Sequence, residues 1–267
     1  MRYSISLSYD GSDFRGWQVQ PRDPSVQQTV EDALSRLLGQ STSLVGAGRT
    51  DTGVNAIGYV AHFDCEKAVD CEQLRYKLNA ILPHSIAVHS VAPAPAGFHA
   101  RFDARQREYT YFLHTMKDPF VGKYSYHCSF PLDFAQMNRA AALLCGTHDF
   151  SCFEKVGADN KTSVCTVYSA RWEPYTPSVC CQNDSDVQVY WRFTICADRF
   201  LRNMVRAVVG TLVEVGRARR SVADFDSLIL PIEEDACEKG KTEGKANRCL
   251  AGESAPGHAL FLTKVSY

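Results

Sequence analysis

Asp51 is the residue of this chain best placed to do chemistry. It lies in Gly48-Arg49-Thr50-Asp51-Thr52-Gly53-Val54-Asn55-Ala56, a single carboxylate between glycines with an arginine two positions upstream. On an extended backbone, residues two apart face the same way, so Arg49 is expected to meet Asp51. A guanidinium there keeps a carboxylate ionised and aims it, as a carboxylate nucleophile requires. The glycines imply a tight backbone path that a substrate can approach closely. A surface Arg–Asp pair in a turn is the competing reading of so short a pattern. Asp51-Thr52-Gly53 is also the tripeptide of aspartic proteases, whose chemistry needs two carboxylates sharing a proton. No second D-[TS]-G occurs in the chain, and an adjacent Arg49 would hold the aspartate in the wrong state.

Other residue types could serve such a nucleophile. Tyr109, in Arg107-Glu108-Tyr109-Thr110-Tyr111, is either a strand aromatic in the core or a flat surface for stacking. Arg206 sits on a helical pattern whose other positions (Leu201, Val205, Val208, Leu212) are apolar. A cation emerging from a buried surface needs an anion, and Asp51 is the natural one. The alternative is a snorkelling surface residue. Six arginines between Asp198 and Arg220 leave a local surplus of four positive charges in a chain of net charge −1. Such a patch can hold phosphates on a neutral protein. Arg101, Arg105, Arg107, Arg199 and Arg202 are the phosphate-contact candidates, although each alone also fits ordinary solvated charge. His148-Asp149 fits a structural role beside a helix end better than acid–base work, and Phe14 and Trp17 either line a cleft or pack.

The Asp51 segment, G-R-T-D-x-G-V-x-A, resembles the active-site loop of the TruA-type tRNA pseudouridine synthases. Further blocks run along the chain in that family's order. They are Tyr9-Asp10-Gly11 with Phe14-Arg15-Gly16-Trp17-Gln18, Phe98-His99-Ala100-Arg101-Phe102, Arg107-Glu108-Tyr109-Thr110-Tyr111, Gly146-Thr147-His148-Asp149-Phe150, Phe200 to Arg206 with Gly210-Thr211-Leu212, and Ala255-Pro256-Gly257. The resemblance implies an enzyme that isomerises uridines at tRNA positions 38 to 40, in the anticodon stem-loop, to pseudouridine. It implies Asp51 as nucleophile, Arg49 as its partner and a helper in moving the target base out of its stack, Tyr109 as the ring that stacks on uracil, and Arg206 as the arginine near the nucleophile. It also implies a homodimer with tRNA spanning both subunits and no cofactor. Asn55 departs from the pattern, since the family usually carries histidine there, and its role is expected to be structural. A noncatalytic RNA-binding module would account for the arginines but not for the Arg49–Asp51 loop.

Composition is compatible with this. At 267 residues, 45% hydrophobic and 22% charged, the chain reads as a soluble globular protein with ample core. No run approaches the ~18 apolar residues of a membrane span. Residues 1–6 alternate like a strand and carry no signal-type apolar segment, so a cytoplasmic location is expected. The eleven cysteines are scattered, with only Cys180-Cys181 adjacent, and match no zinc-site spacing. Reduced thiols and no metal are expected.

The elements that must position these residues can be read from periodicity. Tyr3 to Ser8, Gly58 to Phe63, Ile86 to Val91, Arg107 to Thr115, Val187 to Cys196 and Ala259 to Tyr267 read as strands. Helices are expected from a Ser25/Gln28 capping box to Gly39, over 72–82, 133–145 and 200–215, and from Ser221/Asp224 to Leu230. Residues 93–97 are the best candidate hinge, and 231–257 read as a loop. This alternation predicts an α+β fold of two similar halves, 1–104 with the aspartate loop and 105–267 with the tyrosine and basic helix. Each is expected to be a mainly antiparallel sheet with helices on one face, with an RNA-binding cleft between them.

Overall fold

The computed structural model describes residues 1–157, 161–179, 188–232 and 248–267. Among these residues the protein is mixed α+β, with ten strands, mainly antiparallel, and five α-helices. The chain forms two compact units: Met1–Arg107 with Phe261–Tyr267, and Glu108–Leu260.

The first unit contains β1 (Arg2–Tyr9), α1 (Val26–Leu38), β2 (Leu44–Gly46), β3 (Asn55–Asp64), α2 (Cys71–Ile81) and β4 (Ile86–Ala94). Strict alternation decides the central strand. Tyr3, Ile5, Leu7 and Tyr9 of β1 are buried, while Arg2, Ser4, Ser6 and Ser8 stay partly exposed. Ile5 stands opposite Ala61 of β3 on one side and Val91 of β4 on the other, both antiparallel. Strand β2 extends the sheet from β3. Helix α1 buries Val26, Val30, Ala33 and Leu34. Its cap is only half of the expected box: Ser25 accepts from the Gln28 N–H, but the Gln28 amide turns to Asp32 instead. The stretch expected to be a hinge is ordinary first-unit chain. Pro93 and Ala94 pair with β1, and the unit continues to Arg107.

The second unit contains β5 (Gln106–His114, its first two residues still in the first unit), β6 (Tyr126–His127), α3 (Phe134–Leu143), β7 (Gly146–Asp149), β8 (Val164–Pro174), β9 (Tyr190–Ala197), α4 (Met204–Gly216) and α5 (Val222–Asp226). Its sheet runs β5-β9-β8-β7, with β6 parallel to β5. Helix α4 is the core of this unit, with ten of its thirteen residues buried. It starts four residues later than periodicity predicts, because Asn203 takes a left-handed φ of 64° that no helix continues through. Helix α5 has the reciprocal Ser221–Asp224 box but ends at Asp226, since the chain turns away for Leu230 to bridge with Asp149.

The last strand, β10 (Leu260–Ser266), belongs to the first unit from Phe261 onward, and Phe261 and Leu262 lie parallel to Asn55 and Ala56 of β3. The eight described cysteines are not joined in disulfides. The other three, Cys180, Cys181 and Cys237, lie outside the described residues, as do Val187 and most of the expected 231–257 loop. No helix among the described residues is long and apolar enough to cross a membrane.

Candidate active site

The Asp51 segment joins β2 to β3 and is held nearly residue by residue. Tyr59 donates its hydroxyl to the Gly48 carbonyl, and the Tyr9 hydroxyl bonds Thr50 Oγ1 at 2.9 Å. The Thr50 carbonyl accepts from the Trp17 N–H at 3.3 Å, and the Asp51 carbonyl accepts from Val54 at 3.1 Å. Asp51 itself is half-buried, and Thr52-Gly53 makes the turn with Gly53 at φ 73°. Gly16 is needed for close approach as well as for its φ of 98°: a Cβ there would stand 2.3 Å from the Thr50 oxygen.

Behind the loop is an aromatic wall. Trp17 stacks on Tyr59 at 4.0 Å between centroids, and Tyr9 tilts against both rings. Phe14 and Trp17, which the sequence left between lining and packing, are both buried. Tyr59 belongs to none of the sequence motifs, and Tyr9 enters only as the first residue of the Tyr9-Asp10-Gly11 block. The available signals were their positions, Tyr9 as the last inward residue of an alternating strand and Tyr59 within the strand that leaves the loop. Asn55 is the first residue of β3. Buried at 1% exposure, its side-chain oxygen accepts the Gly11 N–H at 2.8 Å and so ties the start of β3 to the turn after β1.

The expected Arg49–Asp51 pairing follows strand geometry, but residues 49–53 are coil and turn, so two-residue alternation does not apply. Arg49 is exposed and donates from Nε to Gln18 Oε1 at 3.3 Å. Arg107, one of the phosphate candidates, is half-buried. Its Nε and Nη2 donate to the Ala47 carbonyl (3.3 and 2.9 Å), Nη2 also to the Arg101 carbonyl (2.7 Å), and Nη1 to that of Ala104 (3.3 Å). Arg101 and Arg105 are exposed, with Arg101 5.7 Å above the Phe102 ring, and both remain phosphate candidates.

In the second unit Tyr109 lies on β5, half-buried, with its ring edge-on to Phe200 at 5.1 Å. Arg199 is half-buried and Arg202 exposed. Arg206 stands on the polar stripe of α4: only Arg206, Gly210 and Glu214, spaced four apart, are not buried on that helix. Residues 251–255 lie along this stripe. Arg206 Nε donates to the Ala255 carbonyl at 2.7 Å, and the Ala255 N–H returns to the Arg206 carbonyl at 2.9 Å. Arg248 holds the same strap through the carbonyls of Ala251 and Gly252 and the Ser254 hydroxyl. Burial pushes the nearby Tyr111 phenol well above its usual range, with the positive charge of Arg206 opposing that rise. Among the described residues, His148 hydrogen-bonds to the Cys145 carbonyl at 3.1 Å.

The model of a family described as tRNA pseudouridine synthase matches residues 5–103 and 140–267. The aspartate loop and α4 fall inside the matched stretches, and Arg107 and Tyr109 between them. Relatives extend over the whole chain. A protein of Bacteroides fragilis named tRNA pseudouridine synthase A is 45% identical over 267 residues, covering all of this chain and 96% of its own. One of the same name from Bacillus subtilis is 38% identical over 271 residues, covering all of this chain and 99% of its own. With both compact units matched and the loop built around a braced aspartate, the chain belongs to the tRNA pseudouridine synthase family.

Proposed function

We propose that this protein isomerises uridine to pseudouridine at positions 38 to 40 of the tRNA anticodon stem-loop, with Asp51 as the nucleophile. The observation that carries the reading is the Asp51 loop, a half-buried carboxylate whose flanking residues are fixed by buried tyrosines and by backbone bonds. That rigidity suits a group that must attack one atom of a bound nucleotide. The reaction breaks the glycosidic nitrogen–carbon bond, turns the base and closes a carbon–carbon bond. It is redox-neutral and adds no group, so side chains suffice. Asp51 starts it by attacking the sugar or the uracil ring. Tyr109 supplies a stacking face and Arg206 the cation that serves the reacting centre. Arg49 helps move the base out of its stack, while Arg101, Arg105, Arg199 and Arg202 meet phosphates. The working form is a homodimer in the cytoplasm.

The test is tritium release from tRNA labelled at uracil C5, because carbon–carbon closure expels that hydrogen. Wild type is expected to release it and Asp51→Ala to fall to background while still binding tRNA. Equal release by both proteins would remove Asp51 from the chemistry. Binding without release by wild type would make the protein an RNA-binding module.

A further inference from the structure

Arg107 has the residue type and local charge expected of a phosphate contact, but its geometry is different. All three guanidinium nitrogens donate to backbone carbonyls, at 2.7 to 3.3 Å, and those carbonyls belong to two separate segments. One is Ala47, the residue before Gly48 and the entry to the Asp51 loop. The other is the 101–104 loop. Ala47 is further held by its N–H to the Val60 carbonyl at 2.9 Å, so the brace acts on a fixed point of the sheet. A Cβ on Gly48 would stand 3.9 Å from Arg107 Nε, which puts the guanidinium in van der Waals range of the loop's first glycine. Only a planar fork can reach diverging carbonyls in this way; an ammonium at the end of a flexible stem reaches one.

We propose that Arg107 is a positioning residue that sets the entry of the Asp51 loop, and that it does not bind tRNA phosphate. The proposal rests on the reading of Asp51 as nucleophile. Without the fork, Ala47 and Gly48 lose their brace and the carboxylate is held less exactly against the nucleotide, a misplacement that costs rate and leaves affinity alone.

Two variants separate this from a phosphate contact, read by single-turnover tritium release at saturating tRNA and by tRNA affinity across a salt series. Arg107→Lys keeps the charge and loses the fork. It is expected to slow the single-turnover step about tenfold to hundredfold, with affinity within about twofold and the same salt slope as wild type. Arg107→Gln removes the charge, and its salt slope is also expected to be unchanged. A normal single-turnover rate for Arg107→Lys would overturn the proposal. So would a weaker affinity for Arg107→Gln with a salt slope smaller by about one. If the glutamine variant melts below the assay temperature, the lysine variant alone decides. Asp51→Ala measured in parallel locates any failure. If that variant turns over normally, the nucleophile reading falls and the brace with it. If it is dead while Arg107→Lys is normal, the brace alone is wrong.

Discussion

His62 shows how one side chain sets the loop that carries Arg101. It lies on β3 with 3% of its surface exposed, and its Nδ1 accepts the Ala100 N–H at 3.1 Å. That bond requires a neutral ring protonated on Nε2. Burial lowers the His62 pKa, and the positive charge of Arg2 and then His99 lowers it further. The folded protein therefore binds this proton less readily than the unfolded chain, in which histidine titrates near 6.5. The stability it contributes is complete above about pH 6.5 and is lost as pH falls through that value toward the depressed folded pKa. His114, lowered chiefly by burial, adds a loss of the same sign. Thermal melts from pH 8 to pH 5 are expected to show falling stability, with a shallower fall in His62→Asn, whose amide oxygen can still accept from Ala100. An identical slope in that variant would exclude His62 as a titrating group.

Among the elements, α4 and its strap determine how Arg206 is presented. The helix is apolar almost all round, so packing fixes its rotation and leaves one stripe to meet the 251–255 backbone. Gly210 is the point of closest approach: a Cβ there would stand 1.8 Å from the Glu253 oxygen, closer than any contact allows. Gly210→Ala must therefore push the strap outward and weaken the Arg206–Ala255 pair. A loss of about 1–3 kcal/mol is expected from such overpacking, together with slower tritium release at saturating tRNA. Denaturant unfolding and single-turnover assays would check both. A variant as stable and as fast as wild type would mean that the strap has another register. Gly216→Ala, where the Cβ would meet the flexible end of Met137 at 2.5 Å, is the milder comparison.

At the scale of the whole molecule, a net charge of −1 has to be reconciled with an RNA substrate. Local arginines are the means, so tRNA affinity should fall steeply with salt, with a log–log slope of about −0.7 to −0.9 for each phosphate neutralised. Filter binding at several salt concentrations measures this, and a flat response would remove the arginine patch from recognition. Much of the protein was legible in its sequence. Alternation of period two placed β1, the Ser221–Asp224 box and Gly39 marked helix ends, and the glycine-flanked Asp51 pattern indicated both the loop and the family. These are local properties, set by side-chain volume and backbone preference within a few residues. What only tertiary structure decided are the partners of long side chains and of chain ends. Arg49 turns to Gln18, Arg107 spends its donors on carbonyls, and β10 returns to pair with β3 across more than 190 residues. A guanidinium's type and charge are written in the sequence. Which acceptors lie within reach of its fork depends on segments far apart in the chain, brought together only when the core packs.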